Sequence, residues 1–286
     1  MKLRAASGIV LMLFLASMLS LTVTPASADE CKILIDQTHE ELPEYALTDY
    51  ISSLQAAGHV VDTLTSGPVT EMALSGYNVF LVILPKVIFS SGEVSAIVSF
   101  VSNGGGLYLV GNYVPECVDP LNSIAINFGV TFNSGDTLGW QTITDITSHP
   151  VTLDVDSFHI WASDPLDPVT SPSVSLAWAS GGETVLAVTE YLSVKVVFFD
   201  DATPLHNSYW TENLSEDDIE LQMNIIAWLC QPPIRPPVGG KAISIDKSII
   251  KPELQTPWIG LTTIILSLAL VVVYVKKRKR NTEINS

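Results

Sequence analysis

The segment Asn78–Leu84, NVFLVIL, limits the possible folds of this chain more than any other stretch. Its interior is apolar throughout, as a strand must be when both faces of its sheet are covered. The segments around it supply the cover. Lys32–Asp36 (KILID) predicts a first strand. Tyr45, Leu47, Ile51, Leu54 and Ala57 recur at helical spacing and predict a helix over Pro43–Ala57 that stops at Gly58. His59–Leu64 predicts a second strand, with Asn78–Leu84 as the third. Ser91–Ser102 predicts a helix with Glu93 in its first turn and Asn103-Gly104-Gly105-Gly106 past its end. Leu107–Val110 predicts a fourth strand. The order β-α-β-β-α-β with short connections implies a mostly parallel sheet under helices.

After Gly111 the pattern changes. Pro120–Phe128 reads as a helix. From Val130 on, strands follow without helices between them, at Ser157–Ala162, Ser173–Ser180, Thr184–Tyr191 and Val194–Asp200. Gly181-Gly182 marks a hairpin between the middle two. Ser215 is placed to cap a last helix whose first turn is acidic, which predicts burial of Ile219, Met223, Ile226, Ala227 and Trp228 and an end near Cys230.

Both ends carry topological signals. Lys2 and Arg4, the apolar run Gly8–Leu21 and Ala26-Ser27-Ala28 have the layout of a secretory signal over residues 1–28. Trp258–Val275 is apolar and uncharged, long enough to span a bilayer as a helix, and is followed by Lys276-Lys277-Arg278-Lys279-Arg280. Between 231 and 257 lie Pro232, Pro233, Pro236, Pro237, Pro252 and Pro257, the composition of a stalk. The expected organisation is a signal peptide, a domain over 29–230, a stalk over 231–257, a membrane helix over 258–275 and a basic cytoplasmic tail over 276–286. The N-terminal side is then outside a cell membrane crossed once. Residues 29–257 hold 7 Lys+Arg against 29 Asp+Glu, which excludes nucleic acid and anionic lipid headgroups as ligands.

Several motifs carry a resemblance. Asp36-Gln37-Thr38-His39 ends the first strand, GGGLYLVGN runs over Gly104–Asn112, and VVFFDDATPLHN runs over Val196–Asn207 before the last helix. Together with Ser148-His149-Pro150-Val151-Thr152, they resemble the class I glutamine amidotransferase-like superfamily over about residues 32–230. They are closest to its non-catalytic extracytoplasmic branch, which includes gliding-motility-type transporter subunits and the intraflagellar-transport GIFT domains. The resemblance implies a flavodoxin-like three-layer sandwich, here with an added β-hairpin region. It does not bring amidotransferase chemistry. The family's Gly-x-Cys-x-Gly turn reads Gly111-Asn112-Tyr113-Val114-Pro115, so Asn112 stands where the nucleophile would be. The His-Pro-Glu trio is missing at Leu205-His206-Asn207.

The C-terminal strand ends of a parallel sheet form its ligand face. Asp36, His39, Glu40, Asn112, Glu116, Cys117, Asp200, Asp201 and His206 fall there. Histidines among carboxylates have the donors of a metal or sugar site. The plainer reading is that Asp36 and Asp200 cap loops while His39 and His206 face solvent. Cys117 paired with His206 would be a displaced nucleophile, and a buried free thiol is the simpler alternative. Trp140, Trp161, Trp178 and His59 read as core or edge packing before any sugar platform. Asn213-Leu214-Ser215 is a glycosylation sequon. Cys31 precedes the first strand and Cys230 ends a helix running against the strands, so both fall at the bottom of the sheet and Cys117 at the top. A Cys31–Cys230 disulfide is therefore expected. The resulting expectation is a surface-anchored binding module for a protein or glycan, with no cofactor and no catalysis. The alternatives are a hydrolase or metal-dependent enzyme using the top-face Asp and His residues, and an accessory subunit of a membrane transport complex.

Overall fold

The computed structural model describes residues 30–39, 46–135, 137–161, 163–207 and 214–232. The predicted signal, membrane helix and tail, nearly all of the stalk, Glu40, Asn213 and the start of the first predicted helix lie outside them. Among the described residues no helix is long and apolar enough to cross a membrane. The chain divides into two compact units, 1–236 and 237–286, and the described residues belong to the first.

The first half alternates as the pattern predicts. It contains β1 (Lys32–Asp36), α1 (Thr48–Ala56), β2 (Val60–Leu64), α2 (Glu71–Leu74), β3 (Val79–Ile83), α3 (Ser91–Ser102) and β4 (Gly106–Val110). The second half contains α4 (Val118–Ala125), β5 (Val130–Phe132), β6 (Gln141–Ile143), β7 (Asp145–Ile146), β8 (Phe158–Ile160), β9 (Leu166–Val169), β10 (Ser173–Trp178), β11 (Thr184–Tyr191), β12 (Val194–Phe199) and α5 (Glu216–Cys230). One sheet runs in the order β2-β1-β3-β4-β12-β11-β10-β7. Its first five strands are mutually parallel, and β11, β10 and β7 extend it antiparallel. The pairs β5–β9 and β6–β8 form separate two-stranded sheets.

Period-two alternation makes three layers from this sheet. Ile33, Ile35, Val79, Leu81 and Ile83 face Tyr50 and Leu54 of α1 and Ile225 and Trp228 of α5. Leu34, Phe80, Val82, Leu107 and Leu109 face Ile97 and Val101 of α3 and Leu121 and Ile124 of α4. Every residue of β3 and β4 is buried, which accounts for the unbroken apolar run. Each such aliphatic side chain contributes about 1.5–3 kcal/mol by leaving water. Gly106 has a packing role: a Cβ there would lie 2.8 Å from Cβ of Leu229, so glycine lets α5 approach β4.

The differences have local causes. α2 and β5, β6, β7 and β9 are two to four residues long, too short for a periodicity to register. The predicted helix over Pro120–Phe128 starts earlier, at Val118, and tightens into a 3-10 turn over Ile126–Phe128 that Gly129 ends at φ 81°. The buried face of α5 is Asp218, Leu221, Gln222, Ile225, Ile226, Trp228 and Leu229, whereas Ile219 and Met223 are half-buried and Ala227 is exposed. Two polar groups turn the helix to this phase. Tyr108 Oη donates to Gln222 Oε1 at 2.8 Å. Asp218, three residues after the Ser215 cap, accepts from the His159 amide at 2.6 Å and pairs with His159 Nδ1 at 2.9 Å.

At the bottom of the sheet, Cys31 and Cys230 form a disulfide, with Cα atoms 5.8 Å apart. Cys117 is free and buried.

Candidate functional site

The C-terminal ends of β1, β3, β4 and β12 bring the predicted residues to one edge of the sheet, and there they fall into two groups. Asp36 ends β1 and Asp200 follows β12. With β3 and β4 between them, they are three strand spacings apart, about 14 Å.

The first group is a clasp. His39 Nδ1 lies 2.8 Å from Asp36 Oδ2, and His39 Nε2 lies 3.3 Å from Glu93 Oε1. Thr38 donates from its amide and its hydroxyl to Asp36 Oδ1, at 3.0 and 2.7 Å. The imidazole stacks on Phe89 with centroids 3.9 Å apart. Glu93 also closes a capping box with Ser90 and accepts the Val69 amide at 3.0 Å. The carbonyl of His39 accepts the Lys86 amide at 2.7 Å, just past Leu84, which holds a left-handed φ of 49° at the turn out of β3. His39 is 5% exposed, so the solvated ring of the plainer reading does not describe it. Both ring nitrogens face carboxylates, and the ring ties the end of β1 to the start of α3. Burial pulls the His39 pKa down, but the hydrogen bond to Asp36 and the charges of Asp36 and Glu93 outweigh it and hold it above 6.5. Burial pushes Glu93 up, and the Ser90 and Val69 donors with the His39 charge bring it below the usual range.

A pH dependence follows. The raised His39 pKa adds stability that is complete below pH 6.5 and fades as pH climbs through the folded-state value. Glu93 works at the other limit, and its contribution fades as pH falls below about 4.5. His39→Ala is expected to cost about 2–3 kcal/mol near pH 6, from hydrogen bonds to charged groups. The cost narrows toward pH 9 in parallel urea titrations of the two proteins. A cost that is the same at both pH values would remove His39 as the titrating element.

The second group surrounds the turn after β4. A Cβ on Gly111 would lie 1.9 Å from Asp200 Oδ1 and 3.0 Å from Phe132 Cδ1, so the Asp200 carboxyl occupies the space above this glycine. Asp200 Oδ2 accepts the Asp164 amide at 2.8 Å. Burial raises Asp200 well above the ordinary carboxylate range, with the charges of Asp164 and Asp201 adding to it. Asp201 accepts the amides of Trp161 and, at 2.8 Å, Thr203. Asn112 turns its Oδ1 back to the Tyr113 amide at 2.7 Å. The Cys117 thiol donates to the Val114 carbonyl at 2.9 Å, and burial pushes its pKa up to about 12. At neutral pH that keeps it a thiol, and the thiolate is the nucleophilic form. Glu116 is exposed and His206 half-buried.

Sequence reasoning missed Glu93 and Asp164 as members of these groups. Glu93 had a visible signal as the third residue of a capping box after Ser90. Asp164 had none, because it meets Asp200 only through the tertiary fold. Cavities of about 430 and 390 Å³ lie elsewhere, the first around Asn78, Phe100 and Gly105 and the second around Val69, Ser90 and Ala96. Trp140 is 64% exposed and lies over His159 at 5.8 Å, so edge packing describes only its inner face. Trp161 and Trp178 are half-buried.

No protein-family model matches the chain, and no curated protein matches it. Solved structures do. The mmIFT52 N-terminal domain matches with a TM-score of 0.62 at 14% identity, over 71% of this chain and 100% of that one. A putative ThuA-like protein from Bacteroides uniformis matches with a TM-score of 0.52 at 17% identity, over 73% of this chain and 94% of that one. A glutamine amidotransferase from Thermotoga maritima aligns with a TM-score of 0.45 at 12% identity, over 71% of this chain and 99% of that one. For the first two, at these identities, the likeness is one of fold: a mixed α/β sandwich around a largely parallel sheet.

Proposed function

We propose that this chain is a binding module of the non-catalytic, extracytoplasmic amidotransferase-like branch, held at a cell surface by one membrane span. The observation that carries the reading is the filled turn after β4. The Asp200 carboxyl occupies the space over Gly111, Asn112 is folded onto its own backbone, and the nearby Cys117 thiol is buried and protonated. The fold shared with the mmIFT52 N-terminal domain supports the branch. The anchor rests on the apolar run 258–275 with its basic flank, and the export on the residue 1–28 pattern. The disulfide suits an oxidising compartment.

The binding face is the same sheet edge. Val87 and Ile88 after β3 and Tyr113 after β4 are 57%, 60% and 52% exposed, and the paired ends of β3 and β4 hold the two loops side by side. Apolar and aromatic side chains presented on loops over a rigid sheet are the composition of a contact patch. The test is affinity purification of the full chain from mild detergent. A stoichiometric partner is expected, lost in Ile88→Asp and in Tyr113→Ala while the folded state is kept. Glutamine hydrolysis by the wild type that vanishes in Cys117→Ser would overturn the reading, as would a partner indifferent to both loop variants.

A further inference from the structure

Cys31, Cys230 and His59 are set close together at the bottom of the sheet. Cys31 immediately precedes β1, His59 immediately precedes β2, and Cys230 is the last residue of α5. The Cys31 carbonyl accepts the Val60 amide at 2.9 Å, and the His59 amide donates to the Leu54 carbonyl at 3.1 Å, so the backbones on both sides are fixed. One ligand atom from each of the three residues lies within 4.8 Å of the others. His59 is 8% exposed, and its buried Nδ1 has no hydrogen-bond partner. A buried ring nitrogen without a partner is costly, and the ring that carries it lies next to two sulfurs that accept hydrogen bonds poorly.

We propose that reduction of the Cys31–Cys230 disulfide opens a Cys2His site for a borderline-soft divalent cation, of which zinc is the type. A dithiol reductant supplies two electrons and two protons and leaves as its own disulfide. The protein S–S bond breaks, and Cys31 and Cys230 become thiols. Metal binding then expels both thiol protons to solvent as two S–metal bonds and one N–metal bond form. With Zn–S near 2.3 Å and tetrahedral angles, the sulfurs stand about 3.8 Å apart. The Cα separation of 5.8 Å allows this by side-chain rotation alone. Cys230 is half-buried, which gives the reductant access to one sulfur and leaves the fourth coordination position open to water. The metal re-closes the loop that reduction opened, so the same staple exists in an oxidised and a metallated form. This site is at the opposite end of the sheet from the proposed binding face and does not depend on it.

The test uses the full chain in detergent carrying Cys117→Ser, which removes the unrelated thiol. After reduction by a phosphine and its removal under argon, cobalt(II) is titrated in. The expected result is a thiolate-to-cobalt charge-transfer band that saturates at one cobalt per chain. The band is absent from the oxidised protein, and His59→Ala weakens cobalt affinity by at least about 10-fold. The same band in the oxidised protein, no band in the reduced one, or an unchanged affinity in His59→Ala overturns the proposal. If the reduced chain loses its cooperative melt, cobalt must restore it, and failure to do so overturns the proposal equally.

Discussion

Removing the staple with Cys31→Ser/Cys230→Ser is expected to lower the unfolding free energy by about 2–5 kcal/mol. The bridge joins residues 199 apart, nearly the whole folded domain. Without it the unfolded chain regains the conformational entropy of a very long loop, while the native contacts of Cys31 change little. The effect therefore acts mainly through the unfolded state. Urea denaturation should show it as a lower midpoint with a steeper slope, because a denatured chain without a cross-link exposes more surface. An unchanged midpoint would mean that native packing alone holds the ends of the domain together.

Gly111→Ala is expected to cost roughly 2–5 kcal/mol. The added methyl would lie 1.9 Å from Asp200 Oδ1. An exposed carboxylate would swing aside, but Asp200 is 1% exposed and bonded to the Asp164 amide, with Phe132 closing the other side. Overpacking costs about 1–3 kcal/mol and the displaced hydrogen bond about as much again. Asp200→Ala in the same chain should recover most of the loss, because it removes the atom the methyl meets. A double-mutant cycle of urea midpoints measures that coupling. Additive costs would show that the two residues do not compete for this space. The result bears on the proposed function, which rests on the same filled space.

Much of the fold was legible in the chain. β1 (Lys32–Asp36), α3 (Ser91–Ser102) and β11 (Thr184–Tyr191) have the predicted boundaries: polar residues bound the short apolar run of β1, and glycine, capping or hairpin signals bound the other two. The disulfide partners followed from chain direction alone. The candidate site was legible only as a list of residues at strand ends. Sequence placed Asp36, His39, Asp200 and His206 on one edge, but not the two strands that separate Asp36 from Asp200. It did not show that Glu93 takes the second nitrogen of His39, or that Asp164 meets Asp200 from 36 residues away.

What the sequence determined by itself was the alternation of elements, the acidic balance of residues 29–257, the apolar run with its basic flank at 258–280 and the presence of Asn112 at the turn after Gly111. These are written in local periodicity and composition, which need no partner to be read. Only the tertiary structure decided that His39 is a strut between β1 and α3 and that the Asp200 carboxyl lies over Gly111. Only there, too, did the buried His59 ring come to rest beside the Cys31–Cys230 bridge. Strand order and side-chain burial set those contacts. Both depend on segments distant in the chain, and a short window of sequence does not encode where those segments meet.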